Sequence, residues 1–268
     1  MPFVNDLHYV SYGPATGETG TIVLLHGFQL DHRALTGSCE PVFATRPGWR
    51  RIYLDLPGMG RSTAPDAVHS TDDVFAAVQN AVRTLIPDGP YAVCGQSYGG
   101  YLARGLVAAD PGRVTGMALI VPMIIATHAS RDVDPHVVLH RDAFAAALPA
   151  GADFDQEMVV QTEETYRRIQ AEEAPGLALA DPGAVARLQA AYPGTFPLEP
   201  APFNGPSLFL LGRQDSVTGY RDAWHLLADY PRATFAVLDR AGHGAQIEQP
   251  SLFTALLTDW LDRIATPH

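Results

Sequence analysis

The stretch Tyr91-Ala92-Val93-Cys94-Gly95-Gln96-Ser97-Tyr98-Gly99-Gly100 decides how the rest of the chain is read. Its first half is apolar, partly β-branched, and stops at a glycine. Its second half opens a run from Tyr98 to Ala109 with helical apolar spacing, closed by Asp110-Pro111-Gly112. Strand, sharp turn and helix are therefore expected in immediate succession. The turn carries Gly-x-Ser-x-Gly, which places Ser97 at the apex, where the backbone is strained and the hydroxyl stands clear of the sheet. Side chains at positions 95 and 99 would collide in so tight a turn, and Gly100 lets the helix approach the sheet. Ser97 is thus the candidate nucleophile.

Outward from this point the same alternation repeats. Thr21 to His26, Arg51 to Asp55, Val114 to Val121, Ser207 to Gly212 and Thr234 to Leu238 are short apolar runs bounded by Gly or Pro, as suits parallel strands covered on both faces. Helical patterns occupy Thr71 to Ile86, Tyr220 to Asp229 and Ser251 to Ile264; the first begins at Ser70-Thr71-Asp72-Asp73, a good N-terminal signal. Strand and helix in alternation predict an α/β fold with a doubly wound, mostly parallel sheet. Phe3 to Tyr12 is expected to add an antiparallel edge strand. Between about Met123 and Phe203 the rhythm breaks: no strand is evident, and helical stretches at Pro135 to Leu148, Phe154 to Glu172 and Pro182 to Ala191 are punctuated by prolines. This reads as a helical lid, 123–203, inserted between strands six and seven of a core made of 1–122 and 204–268.

Composition narrows the function classes. With 268 residues, 47% hydrophobic and 18% charged, the chain can bury one large core. Eighteen basic residues against 29 acidic ones give a net charge of -11, which repels nucleic acid and anionic lipid, so neither is an expected partner. No apolar run is long enough for a membrane span. The first residues lack the basic and apolar regions of a signal peptide, and Cys39 and Cys94 make no disulfide framework; a cytoplasmic location is expected. A small-molecule substrate is the expected partner, with the chain itself a monomer or a homodimer.

A serine hydroxyl near neutral pH needs a base within hydrogen-bond reach. His243, in Arg240-Ala241-Gly242-His243-Gly244 after the last strand, is the candidate, because the flanking glycines free the loop to carry an imidazole over the sheet edge. His26 closes a strand and suits a structural hydrogen bond, whereas His8, His69 and His268 read as surface residues. The imidazole in turn needs an acid to fix its tautomer. Asp215 lies three residues past a strand, at the carboxyl edge where ligands collect; Asp132 and Asp134, past the preceding strand, are its rivals. Backbone N–H groups of Tyr98, at a helix start, and Phe28, after His26-Gly27, are the candidate oxyanion donors. Met123, Ile124, Phe144 and Met158 are candidate pocket walls. No metal-ligand cluster stands out, and the chemistry needs no cofactor.

Taken together, His26-Gly27-Phe28, Asp55-Leu56-Pro57-Gly58-Met59-Gly60-Arg61-Ser62, Gly95 to Gly100, Gly212-Arg213-Gln214-Asp215 and Gly242-His243 resemble the α/β-hydrolase superfamily, in its order Ser, Asp, His. The resemblance implies the α/β-hydrolase fold, a lid between the sixth and seventh strands, and ester hydrolysis through an acyl-enzyme. Members with an aspartate nucleophile are excluded by Ser97. Carbon–carbon bond hydrolases and perhydrolases of the same fold are the alternatives, and a slowly hydrolysing small-molecule receptor is a further one.

Overall fold

The computed structural model describes residues 2–149 and 158–266. The chain opens with an edge hairpin, β1 (Phe3–Val4) and β2 (Leu7–Tyr12), turning through Asn5 and Asp6, both at positive φ. It continues through β3 (Gly20–Leu25), α1 (Arg33–Phe43), β4 (Trp49–Leu54), α2 (Thr71–Leu85), β5 (Tyr91–Gln96), α3 (Tyr98–Ala109) and β6 (Val114–Ile120). An insertion follows with β7 (His140–Arg141), α4 (Ala143–Ala146), β8 (Val160–Gln161), α5 (Glu163–Glu172), α6 (Ala174–Leu179) and α7 (Pro182–Ala190). The chain then returns to the sheet with β9 (Ser207–Gly212), α8 (Arg221–Trp224), β10 (Ala233–Leu238), α9 (Ala245–Glu248) and α10 (Pro250–Ala265).

Among the described residues the large sheet has eight strands in the order β1-β2-β4-β3-β5-β6-β9-β10, parallel from β4 to β10 and antiparallel at the β1-β2 edge. This is the α/β-hydrolase fold. The chain runs outward from β3 to β4, then crosses back to β5 on the other side. The order reverses between β3 and β5, and the crevice at such a reversal is where ligands bind in open α/β sheets.

Each strand face has its own core. Val23, Leu25, Val93 and Leu119 lie under α2 and α3, while Ile22, Leu24, Cys94 and Ile120 pack beneath Phe43 of α1 and Phe253, Leu257 and Trp260 of α10. The alternation of burying faces explains why β3 and β5 read as unbroken apolar runs. The start of α2 is set as expected: the Ser70 hydroxyl accepts from Asp73 N–H, and the Asp73 carboxylate accepts from Ser70 N–H, a reciprocal cap worth ~1 kcal/mol.

Several local expectations need correction. Helix α1 was not anticipated, because Gly37 and Pro41 interrupt its sequence. Gly37 is there because a Cβ would stand 2.3 Å from the Glu172 carboxyl carbon of α5. The helix expected over Pro135 to Leu148 is confined to Ala143–Ala146, capped by Asp142. The stretch before it is irregular apart from β7, which pairs with β8, so the insertion does contain short strands. Of the helix expected from Phe154, residues 154–157 lie outside the described residues, and α5 starts at Glu163 behind a Thr162 cap. Tyr220 to Asp229 yields only the four-residue α8 followed by turns.

Candidate active site

Ser97 sits between β5 and α3 with φ 50° and ψ −114°, a conformation that costs about 1–3 kcal/mol and persists only where neighbours enforce it. Here they do. Ser97 N–H donates to Ile120 O, and Ser97 O accepts from the N–H groups of Gly100 and Met123 at 2.9 and 3.0 Å. A Cβ on Gly95 would lie 2.3 Å from Gly99 O, and one on Gly99 would lie 2.1 Å from Leu25 O at the end of β3. Both glycines are thus steric requirements of the elbow.

The loops after β5, β9 and β10 bring three side chains into one row. His243 Nε2 lies 3.0 Å from Ser97 Oγ, and His243 Nδ1 lies 3.0 Å from Asp215 Oδ2. These partners assign the proton to Nδ1 and leave Nε2 to accept from the serine hydroxyl. Asp215 is fully enclosed. Burial alone would raise its pKa, but the imidazole of His243 and hydrogen bonds from Thr218 overcome this and hold the carboxyl below the usual carboxylate range. Its Oδ1 accepts from Val217 N–H and Thr218 N–H, and its Oδ2 also accepts from the Thr218 hydroxyl. Such a row can take the proton of a serine as the serine attacks an electrophilic carbon, and return it to a leaving group.

Strand β3 is the direct neighbour of β5, so the segment after it lies beside Ser97; a Cβ on Gly27 would be 3.5 Å from Ser97 Cβ. The N–H groups of Phe28 and Tyr98 donate to no acceptor among the described residues. Both side chains point into an aromatic cluster: Phe28 and Tyr98 meet edge to face at 5.3 Å, and each packs on Tyr192 of the insertion. The Tyr98 hydroxyl is anchored 3.0 Å from Thr71 Oγ1.

A cavity of about 290 Å³ opens on this row. Gly27, Phe28, Gln29, Leu30, Gln96, Ser97, Val217 and His243 line it from the sheet and its loops, and Met123, Arg131, Ile169, Glu173, Leu177 and Tyr192 line it from the insertion. Of the four residues expected as walls, Met123 is one. Ile124 is buried one position on and is not a wall. Phe144 stands 36% exposed and packs on Tyr166, and Met158 is buried against Gly244, behind His243. The rivals of Asp215 are elsewhere: Asp132 and Asp134 are exposed partners of Arg221.

Sequence reading missed Glu248. Its Oε1 accepts from Val159 and Val160 N–H at 2.7 and 2.8 Å, and its Oε2 accepts from Gly242 N–H at 2.5 Å. One carboxylate therefore ties the loop bearing His243 to the insertion. Burial pushes its pKa up to about 7 despite these three donors. Arg168 makes a second tie, donating to Ser38 Oγ of α1, Gln246 O of α9 and Glu172 of its own helix.

The other histidines are structural where buried. His26 Nε2 accepts from Leu56 N–H and Nδ1 donates to Gly27 O, while burial lowers the ring's pKa. His8, expected at the surface, is instead buried with Nδ1 2.8 Å from Asp55 Oδ2. His8, His32 and Asp55 bring possible ligand atoms within 4.8 Å of one another. Both Asp55 oxygens are engaged by the two Nδ1 atoms and by the N–H groups of His32 and Arg61, a network that holds the loop after β4. Among the described residues, no helix is long and apolar enough to cross a membrane.

Comparison with known proteins agrees with this architecture. A family model described as the alpha/beta hydrolase fold matches residues 20–250. The crystal structure of an alpha/beta superfamily hydrolase from Oenococcus oeni PSU-1 superimposes with a TM-score of 0.89 at 28% identity, covering 98% of this chain and 97% of that one. An esterase from Rhodococcus sp. ECU1013 shares the fold, with a TM-score of 0.74 at 22% identity over 96% and 95% of the two chains. A 2-hydroxy-6-oxononadienedioate/2-hydroxy-6-oxononatrienedioate hydrolase of Paraburkholderia phymatum is 27% identical over 263 residues, 94% of this chain and 90% of that one. A non-heme chloroperoxidase of Streptomyces lividans is 30% identical over 148 residues, a match that spans about half of each chain, 54% and 51%. With a family model matched along most of its length and the sheet order of that fold, the chain belongs to the α/β-hydrolase family and is a hydrolase.

Proposed function

We propose that this hydrolase cleaves a small carboxylic ester through an acyl-enzyme on Ser97. The observation that carries the reading is the unbroken row Ser97 Oγ, His243, Asp215, with 3.0 Å at each step. Ser97 Oγ attacks the ester carbonyl carbon while His243 Nε2 takes its proton. The carbonyl oxygen becomes an oxyanion held by the N–H groups of Phe28 and Tyr98. The tetrahedral intermediate then expels the alkoxide, which leaves as an alcohol with the proton from His243. Water, activated by the same imidazole, adds to the acyl carbon and releases the acid and Ser97. Asp215 fixes the Nδ1–H tautomer and stabilises the imidazolium.

Residues 123–203 act as a lid over a core of 1–122 and 204–268. Support comes from the cavity walls that the insertion contributes, Met123, Arg131, Ile169, Glu173, Leu177 and Tyr192. The free thiols of Cys39 and Cys94 suit a cytoplasmic enzyme. A second reading, hydrolysis of a carbon–carbon bond, draws support from the similarity over nine-tenths of its length to the dienedioate hydrolase. A p-nitrophenyl ester series from acetate to longer acyl chains separates them. Ester cleavage with a p-nitrophenol burst, reduced in kcat by about 10⁶ in Ser97→Ala, supports the esterase reading. Equal inactivity of both proteins on every ester moves carbon–carbon cleavage to the front.

A further inference from the structure

Arg131 stands at the start of the insertion and lines the cavity that holds Ser97 and His243. Its Nε donates to Ile125 O at 2.8 Å, Nη1 to Val217 O at 2.8 Å and Nη2 to Ala126 O at 3.0 Å. A guanidinium carries five N–H groups, so one on each terminal nitrogen is left over. No carboxylate lies within ion-pair distance among the described residues, in contrast to the buried Arg51 and Arg104, which grip Glu40 and Glu199. Arg50 and Arg187 also serve backbone carbonyls, but neither lines this cavity. Burial depresses the Arg131 pKa, whereas the charges of the Asp215 and Asp222 carboxylates act in the opposite sense. Three carbonyls thus fix the plane of a half-buried cation that has no carboxylate within ion-pair distance among the described residues and keeps two N–H groups for a ligand.

The position is suited to that. Arg131, Phe28 and Tyr192 border both the cavity and an adjoining open cleft along Ala126, His128 and Gln189, so Arg131 stands where the two meet.

We propose that Arg131 is an anion-recognition residue and that the substrate carries a carboxylate in addition to its scissile ester. This rests on the ester-hydrolase reading for the bond that is cleaved, but not for the binding. The ester carbonyl lies at Ser97 while the second carboxylate takes the two remaining N–H groups of Arg131.

The test uses monomethyl and dimethyl glutarate, which differ in one charge. Calorimetric titration of Ser97→Ala with each measures binding without turnover, and methanol release by the wild type measures cleavage. The monoester is expected to bind at least ~10-fold more tightly than the diester, as fits a charge-assisted contact. That preference is expected to vanish in Ser97→Ala/Arg131→Gln and to persist in part in Ser97→Ala/Arg131→Lys. Equal binding of the two esters to Ser97→Ala, with Arg131 intact, overturns the proposal whether or not turnover occurs. Arg131-dependent binding of the monoester without cleavage of either ester upholds the anion site and removes the esterase reading instead.

Discussion

The hydroxyl of Thr218 lies 2.7 Å from Asp215 Oδ2, the same oxygen that stands 3.0 Å from His243 Nδ1. Thr218 Oγ1 also lies 3.0 Å from Val121 O, just past β6, so one small side chain joins the acid of the proposed triad to the neighbouring strand end. A hydroxyl has a single proton, and its use toward Asp215 helps to keep that carboxylate ionised in a closed site.

Thr218→Val keeps the volume and removes the donor. We expect kcat/KM for an ester to fall about 10-fold, the equivalent of one hydrogen bond to a charged group. The sign of the stability effect follows from linkage. Asp215 has a depressed pKa in the folded state, so its contribution is present above the ordinary carboxylate pKa and is lost as pH falls through the folded value. In Thr218→Val the folded value moves back up, and acid unfolding should begin at a higher pH than in wild type. Identical acid-unfolding curves would remove Thr218 from this role.

Glu248 has the opposite sign. Its pKa is raised from 4.5 to about 7, with burial the leading cause, so the folded protein holds this proton more tightly than the unfolded chain does. The associated stability is full below about pH 4.5 and declines as pH rises towards about 7, by up to ~3 kcal/mol. Glu248→Gln keeps a carbonyl acceptor for the Val159 and Val160 N–H groups, turns an NH2 toward Gly242 N–H, and cannot titrate. Thermal melts of the two proteins across this window should therefore differ in slope, with wild type losing more stability as pH rises. Parallel slopes would place the titration elsewhere.

Two glycines make a matched steric pair. Gly99→Ala would put a Cβ 2.1 Å from Leu25 O, and neither the α3 backbone nor β3 can move without disturbing the elbow. A loss of ~3 kcal/mol or more in stability, with activity abolished, is expected. Gly112, in the turn after α3, has no atom within 4 Å of its added Cβ, so Gly112→Ala should be neutral or stabilise by up to ~1 kcal/mol. Chemical denaturation of both variants compares them directly. Equal effects at the two sites would contradict the steric role given to Gly99.

What could be read from sequence follows from how local each feature is. The β5-Ser97-α3 turn, the Ser70 cap and the apolar strands depend on neighbours a few residues apart, so spacing and residue type expose them. Helix α1 is hidden because Gly37, which leaves room for Glu172, and Pro41 both run against local helix propensity. The Ala-rich spacing of Pro135 to Leu148 suggested a helix, but in the structure only Ala145 of α4 is buried and the rest stays irregular. The cavity walls were mostly invisible for a different reason. Gln29, Arg131, Ile169, Glu173 and Val217 come from separate loops and helices and meet only in the folded chain. Glu248 reads locally like any surface acid, and only its three backbone donors distinguish it.

The most direct test of the central claim is covalent: incubate wild type, Ser97→Ala and His243→Ala with a fluorophosphonate, then locate the adduct by peptide mass spectrometry. An activated serine displaces fluoride and retains the phosphonyl group. Rapid stoichiometric labelling on the peptide carrying Ser97 is expected in wild type, with none in Ser97→Ala and labelling slowed by about 10³-fold or more in His243→Ala. Absence of an adduct in wild type, or an adduct on another residue, would contradict Ser97 as the nucleophile.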